Sequence, residues 1–186
     1  ALDAEILSDP LGLRLVPFES TSPSFTAQGS GAWFKNADDG DTTRFAVTLG
    51  SSDVGAMLRA LGFDSFIEGE TAEVTASVFW NGPPSGDWMN HVSGDLALRA
   101  EKGSLLDVEP GAGRMLGLMS FAALPRRLAL DFRDVFNRGF VFDEITADFA
   151  IVDGNAYTDN LKLTGPPADI GLVGRTGLRD RDYRQQ

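Results

Sequence analysis

Apolar and polar residues alternate with a period of two along most of this chain, and that alternation predicts a sheet. From Thr71 to Trp80, the residues Ala72, Val74, Ala76, Val78 and Trp80 fall on one face, with Thr71, Glu73, Thr75 and Ser77 on the other. The same pattern places Phe45, Val47 and Leu49 on one face of a strand, then Leu96, Leu98 and Ala100, then Leu128, Leu130 and Phe132. A closing meander follows, with Ile145, Ala147, Phe149 and Ile151, then Tyr157, Leu161 and Leu163, then Ile170 and Leu172. Turn residues separate these runs at Asp153-Gly154-Asn155 and Gly165-Pro166-Pro167. Spacing this short suits antiparallel hairpins, because parallel strands need crossover helices between them.

Only two segments read as helix. Ser52-Asp53 offers an N-cap before Val54 to Leu61, and Gly62 supplies the stop. A second helix is expected from Gly113 to Ala123, with Gly111 and Gly113 ahead of it and Pro125 behind. Its residues Met115, Leu116, Leu118, Met119, Phe121 and Leu124 leave almost no polar face, so it belongs against the apolar side of the sheet. Trp80 to Asn90 reads as a long loop or a short irregular helix. The first twenty residues carry no clear pattern, and 179–186 is polar and expected to fray.

The expected architecture is α+β and mainly β: one domain over 1–186, built on a curved, largely antiparallel sheet with one apolar concave face and one or two short helices against it. About seven or eight strands at ~4.8 Å make a sheet ~35 Å wide. A helix with its side chains is only ~10 Å across. Two short helices therefore leave apolar face uncovered. That face curls onto itself, meets another chain or repeat, or holds an apolar ligand.

Charge and composition narrow the choice of partner. The net charge of −11 repels nucleic acid phosphates and anionic lipid headgroups, and no block of basic residues interrupts it. Cysteine is absent, which removes disulfides, thiolate chemistry and sulfur-ligated zinc. The longest apolar run, Met115 to Leu124, is about half of what a membrane-spanning helix needs.

Catalytic and metal chemistry find little support. His91, the single histidine, stands in Trp88-Met89-Asn90-His91-Val92 with no serine or carboxylate in a recognisable arrangement, and reads as a loop residue. No G-x-S-x-G nucleophile motif occurs. Asn36, Asp38, Asp39 and Asp41 miss the calcium-loop pattern, since Val47 stands where the bidentate glutamate belongs, and they read as a charged hairpin loop. Gly111, Gly113 and Gly117 lack the strand, helix and acid of a dinucleotide site. Arg126, Arg127, Asp131, Arg133 and Asp134 are expected to form cross-strand ion pairs, with lipid phosphate as the alternative partner of the two leading arginines.

Leu124-Pro125-Arg126-Arg127-Leu128, Leu130 to Phe136, Gly139-Phe140, Phe142-Asp143, Gly154 to Thr158 and Gly165 to Ala168 carry an identity signal. In these segments the chain resembles the C-terminal part of the YhdP-like branch of the AsmA superfamily. Fainter echoes lie in Leu58 to Phe63, Trp80 to Pro83 and Pro110 to Arg114, while Ala123 and Asn81 depart from residues common in the family. The resemblance implies a fragment of a large periplasmic protein, held to the inner membrane by an upstream segment outside this chain and reaching toward the outer membrane. It implies a non-catalytic role, the conduction of phospholipid acyl chains along an apolar β-groove in support of the outer-membrane permeability barrier, with no cofactor. The residues expected to bury those chains are the inward alternates Val74, Val78, Leu96, Leu98, Leu128, Leu130, Phe132, Ile145, Phe149, Ile151, Leu161, Leu163, Ile170 and Leu172. The alternative is a structural or protein-interaction module of the cell envelope with a closed apolar core.

Overall fold

In the computed structural model, residues 2–35, 40–63, 67–106, 140–166, 168–178 and 183–185 are described. The alternating segments become β5 (Thr42–Ser51), β6 (Ile67–Asn81), β7 (Ser93–Leu105), β8 (Phe140–Val152), β9 (Asn155–Thr164) and β10 (Ile170–Gly177). Before them lie β1 (Leu2–Asp3), β2 (Ile6–Asp9), β3 (Gly12–Thr21) and β4 (Phe25–Phe34), and after them β11 (Tyr183–Gln185). The expected seven or eight strands are thus too few: the described residues form one 11-stranded sheet. Among the strands missed, β3 is broken by a bulge, and β4 carries Gly, Ser, Thr and Gln at its alternates. These residues pair through their backbones without marking a face.

Every pairing is antiparallel, in the order β1-β3-β4-β5-β6-β7-β8-β9-β10-β11, with β2 beside β1 on the same side of β3. The two ends of this order do not meet, so the sheet is open. Val152 and Asn155 close a two-residue hairpin through Asp153 (φ 45°) and Gly154 (φ 72°), the left-handed pair that a tight β-turn requires.

The expected first helix is α1 (Val54–Ala60). Asp53 caps it, its Oδ1 accepting from the Ala56 amide at 2.8 Å, and Gly62 donates back to the Arg59 carbonyl at 3.1 Å. Seven residues are too few to hold a helix alone, so its stability comes from burying Val54 and Met57 against the sheet. The loop after β6 contains a single 3₁₀ turn, Trp88–Asn90. The second expected helix, Gly113 to Ala123, and the strand of Leu128, Leu130 and Phe132 lie outside the described residues.

A crease crosses three strands. The registers pair Gly69 with Gly103 and Gly103 with Phe142, then resume at Thr71, Glu101 and Glu144, leaving Glu70, Lys102 and Asp143 unpaired side by side. Lys102 is left-handed there (φ 48°), and its Nζ lies 3.4 Å from Glu70 Oε2. One extra residue on each strand keeps the register while exchanging the faces. Ile67, Leu105, Phe140 and Phe142 therefore join Ala72, Ala100, Ile145 and Leu163 in one buried cluster under α1. A second cluster gathers Trp80, Val92, Phe149, Ile151 and Leu161 at the opposite end of the strands, with Trp88 and Leu178 packed against it.

Candidate functional site

Direct cross-strand partners share a face of a sheet, so the registers assign each candidate residue. One row runs Phe25, Ser51, Ala72, Ala100, Ile145, Leu163 and Ile170 across β4 to β10. The next runs Ala27, Leu49, Val74, Leu98 and Ala147, and the pair Leu161 and Leu172 lies beyond it. A third holds Gly29, Val47, Ala76, Leu96 and Phe149, and a fourth Gly31, Phe45, Val78, Gly94, Ile151 and Ala156. Val74, Val78, Leu96, Leu98, Ile145, Phe149, Ile151, Leu161, Leu163, Ile170 and Leu172 therefore all stand on one face. Leu128, Leu130 and Phe132 lie outside the described residues. From β3 to β10 the apolar band crosses ~34 Å at the usual strand spacing.

Two aromatic residues outside the expected ligand-facing set belong to this band. Phe18 of β3 and Phe45 of β5 stack with centroids 6.3 Å apart, lying over β4. They can do so because Gly29 stands between them: a Cβ there would lie 2.9 Å from Phe18 Cε1 and 2.4 Å from the Ala46 carbonyl oxygen. Val47 and Leu49 of β5 extend the same surface. Their strand was legible from its alternation, while Phe18 was not, because a bulge between Leu15 and Phe18 breaks the period of β3.

Tyr157 departs from the expected face. The β8–β9 register shifts between Thr146 and Ala150, and Asn160 fills the gap. Its Oδ1 accepts from the Asp148 amide at 2.9 Å and its Nδ2 donates to Asp148 Oδ2 at 2.8 Å. Past this bulge the faces are exchanged, so Tyr157 pairs with Ala150 and Arg175 on the polar side and is exposed.

Burial divides the band. No hydrophobic side chain of β3, β4 or β5 is buried, whereas Ile145 (0%), Leu163 (3%), Leu161 (5%), Ile151 (6%) and Phe149 (8%) are sealed. Val74, Val78, Leu96, Leu98, Ile170 and Leu172 are half-buried. The polar side of β3 to β6 is also uncovered, with an open depression of about 720 Å³ lined by Arg14, Ala32, Phe34, Arg44, Ala46 and Phe79 among others. On β4 and β5, Phe25 and Leu49 pack against the edge of the cluster under α1.

The polar face carries ordinary ion pairing. Arg99 reaches both Glu101 (3.0 Å) and Glu144 (2.6 Å), two carboxylates directly opposite each other on β7 and β8. His91 is an exposed loop residue, and Asp41 accepts from Trp33 Nε1 at 3.1 Å in the β4–β5 hairpin loop. Among the described residues no group of His, Asp and Glu is placed to hold a metal ion, and no helix is long and apolar enough to cross a membrane.

The fold of the described residues defines a class: an open antiparallel meander, mainly β with one short α-helix, presenting an apolar band across its strands. The chain belongs to the YhdP family, whose model, described as YhdP protein, matches residues 1–186. Among its relatives, the intermembrane phospholipid transporter YhdP of Escherichia coli (strain K12) is 29% identical over 185 residues, which is 99% of this chain. The chain spans 14% of that relative's length. No solved structure matches it.

Proposed function

We propose that this chain is a non-catalytic phospholipid-binding segment of an intermembrane lipid transporter. The observation that carries this reading is the apolar band itself, which runs across the strands on one face and has no buried hydrophobic side chain on β3 to β5. Lipid tails laid on Phe18, Phe45, Val47 and Leu49 gain about 25 cal/mol for each Å² of apolar surface taken from water. The gain is collective, so no single residue dominates it. The YhdP relative's description as an intermembrane phospholipid transporter supports phospholipid as the ligand. In this reading the segment works in the periplasm, belongs to a longer protein tied to the inner membrane elsewhere along its length, and supports the outer-membrane permeability barrier.

The sealed rows on β8 and β9 favour a second reading, in which the segment is a structural or envelope-protein docking module with a closed core. Extraction of the purified chain followed by mass spectrometry of co-purifying lipid separates the two. Phospholipid bound to the native chain, and lost from V47D/L49D, is the expected result. Lipid-free protein, with native sheet content by circular dichroism, would leave only the docking module.

A further inference from the structure

Resting on that reading, we infer that the acyl-chain path is blind within this domain: tails lie on β3 to β6, thin out at β7 and do not cross β8. The accessible part of the band closes between β5 and β8. β5 presents Phe45, Val47 and Leu49 half-buried, with Leu49 against the cluster under α1 and Thr43 buried at the other end of the row. On β6 the ends of the row close, with Ala72 buried in the cluster beneath α1 and Trp80 buried in the cluster at the opposite rim, leaving Val74 to Val78 between them. β7 keeps only Leu96 and Leu98, and on β8 each alternate from Ile145 to Ile151 is 8% exposed or less.

Both rims that make the taper are fixed. On one side, α1 is held by the Asp53 cap and by Val54, which lies over Gly69 so closely that a Cβ there would meet its Cγ2 at 3.1 Å. On the other, Trp80 stacks on Trp88 with centroids 5.3 Å apart and donates from Nε1 to the Pro83 carbonyl at 2.9 Å. A tail advancing onto β8 must displace side chains that are already packed, and it regains no more apolar burial than it removes. On β3 to β5 no buried hydrophobic side chain has to be displaced.

The test places a photoactivatable benzoyl-phenylalanine at single positions of the full-length protein in cells labelled with radioactive phosphate. Positions Val47, Leu98, Phe149 and Leu172 are compared, with the polar-face residue Thr48 as background. Leu172 is half-buried on β10, so it tolerates the probe if Phe149 does not. The expected result is a phospholipid adduct at Val47, a weaker one at Leu98, and none above background at Phe149 or Leu172. Adducts at Phe149 or Leu172 equal to that at Val47 overturn the blind path and leave the lipid-binding reading standing. Absence of adducts at every position, in protein of normal abundance, overturns both.

Discussion

β5 and β8 have nearly the same alternation and opposite environments. Val47 and Phe149 stand in one cross-strand row, two strands apart from each other's neighbours Ala76 and Leu96. Val47 is half-buried and belongs to neither buried cluster, while Phe149 is 8% exposed and belongs to a cluster with Trp80 and Val92. The contrast teaches that an apolar alternate on a strand is a statement about a face. Whether that face is core or binding surface is decided by the elements laid over it, here α1 at one rim and the Trp88 loop at the other.

The sharpest way to break the comparison is to put the same charge on both halves. Ile145→Asp buries a carboxylate at a position with no solvent exposure, and should cost about 4 kcal/mol or more, enough to unfold the chain. Val47→Asp should shift stability by no more than about 1 kcal/mol, since its side chain already meets water. Denaturant unfolding followed by circular dichroism reads both. Equal losses would show that β5 is as much core as β8. The double variant V47D/L49D then sharpens the point, because it should abolish phospholipid binding in the mass-spectrometric assay at less cost in midpoint than Ile145→Asp alone, even though Leu49 packs against the cluster under α1.

Trp88→Ala comes next in size. It removes the stack on Trp80 and one wall of the upper cluster, worth about 1–3 kcal/mol. If the Trp88 loop seals the β8 side, the variant should also admit an apolar fluorescent probe that the parent excludes. Unchanged probe binding would assign the seal to other contacts.

Much of this architecture is legible along the chain, and the exceptions have physical causes. β6 and β7 read directly because Val74, Val78, Leu96 and Leu98 alternate with polar residues. β4 is silent because its inward alternates include Gly29 and Gly31, chosen for the rings that cross them. Tyr157 lands on the opposite face because a bulge, invisible in a pattern of apolar residues, is stabilised by the side chain of Asn160. The crease at Glu70, Lys102 and Asp143 is hidden likewise, since three polar residues on three distant segments reveal their alignment only in the register. Of the candidate site, the face was readable and the division between its open and sealed halves was not. That division depends on contacts between elements far apart in sequence.

Two smaller effects test the bulge and the polar face. Asn160→Ala deletes both bonds to Asp148 in an exposed bulge, and should cost about 1 kcal/mol. Amide exchange should then speed at Asp148 and leave β5 unchanged.

Arg99→Ala should cost still less, below about 1 kcal/mol, because its side chain is 60% exposed and those of its partners are 43% and 38% exposed. What it leaves behind has a definite sign. Glu101 and Glu144 remain directly opposite each other with no cation between them, an unfavourable like-charge pair on adjacent strands. Neutralising one of them should therefore recover stability, so R99A/E101Q should be more stable than R99A alone in low salt. The gap should close as ionic strength rises and screens the pair. A gap that persists in high salt would mean that the change at Glu101 acts through side-chain contacts between β7 and β8 and not through relief of like-charge repulsion.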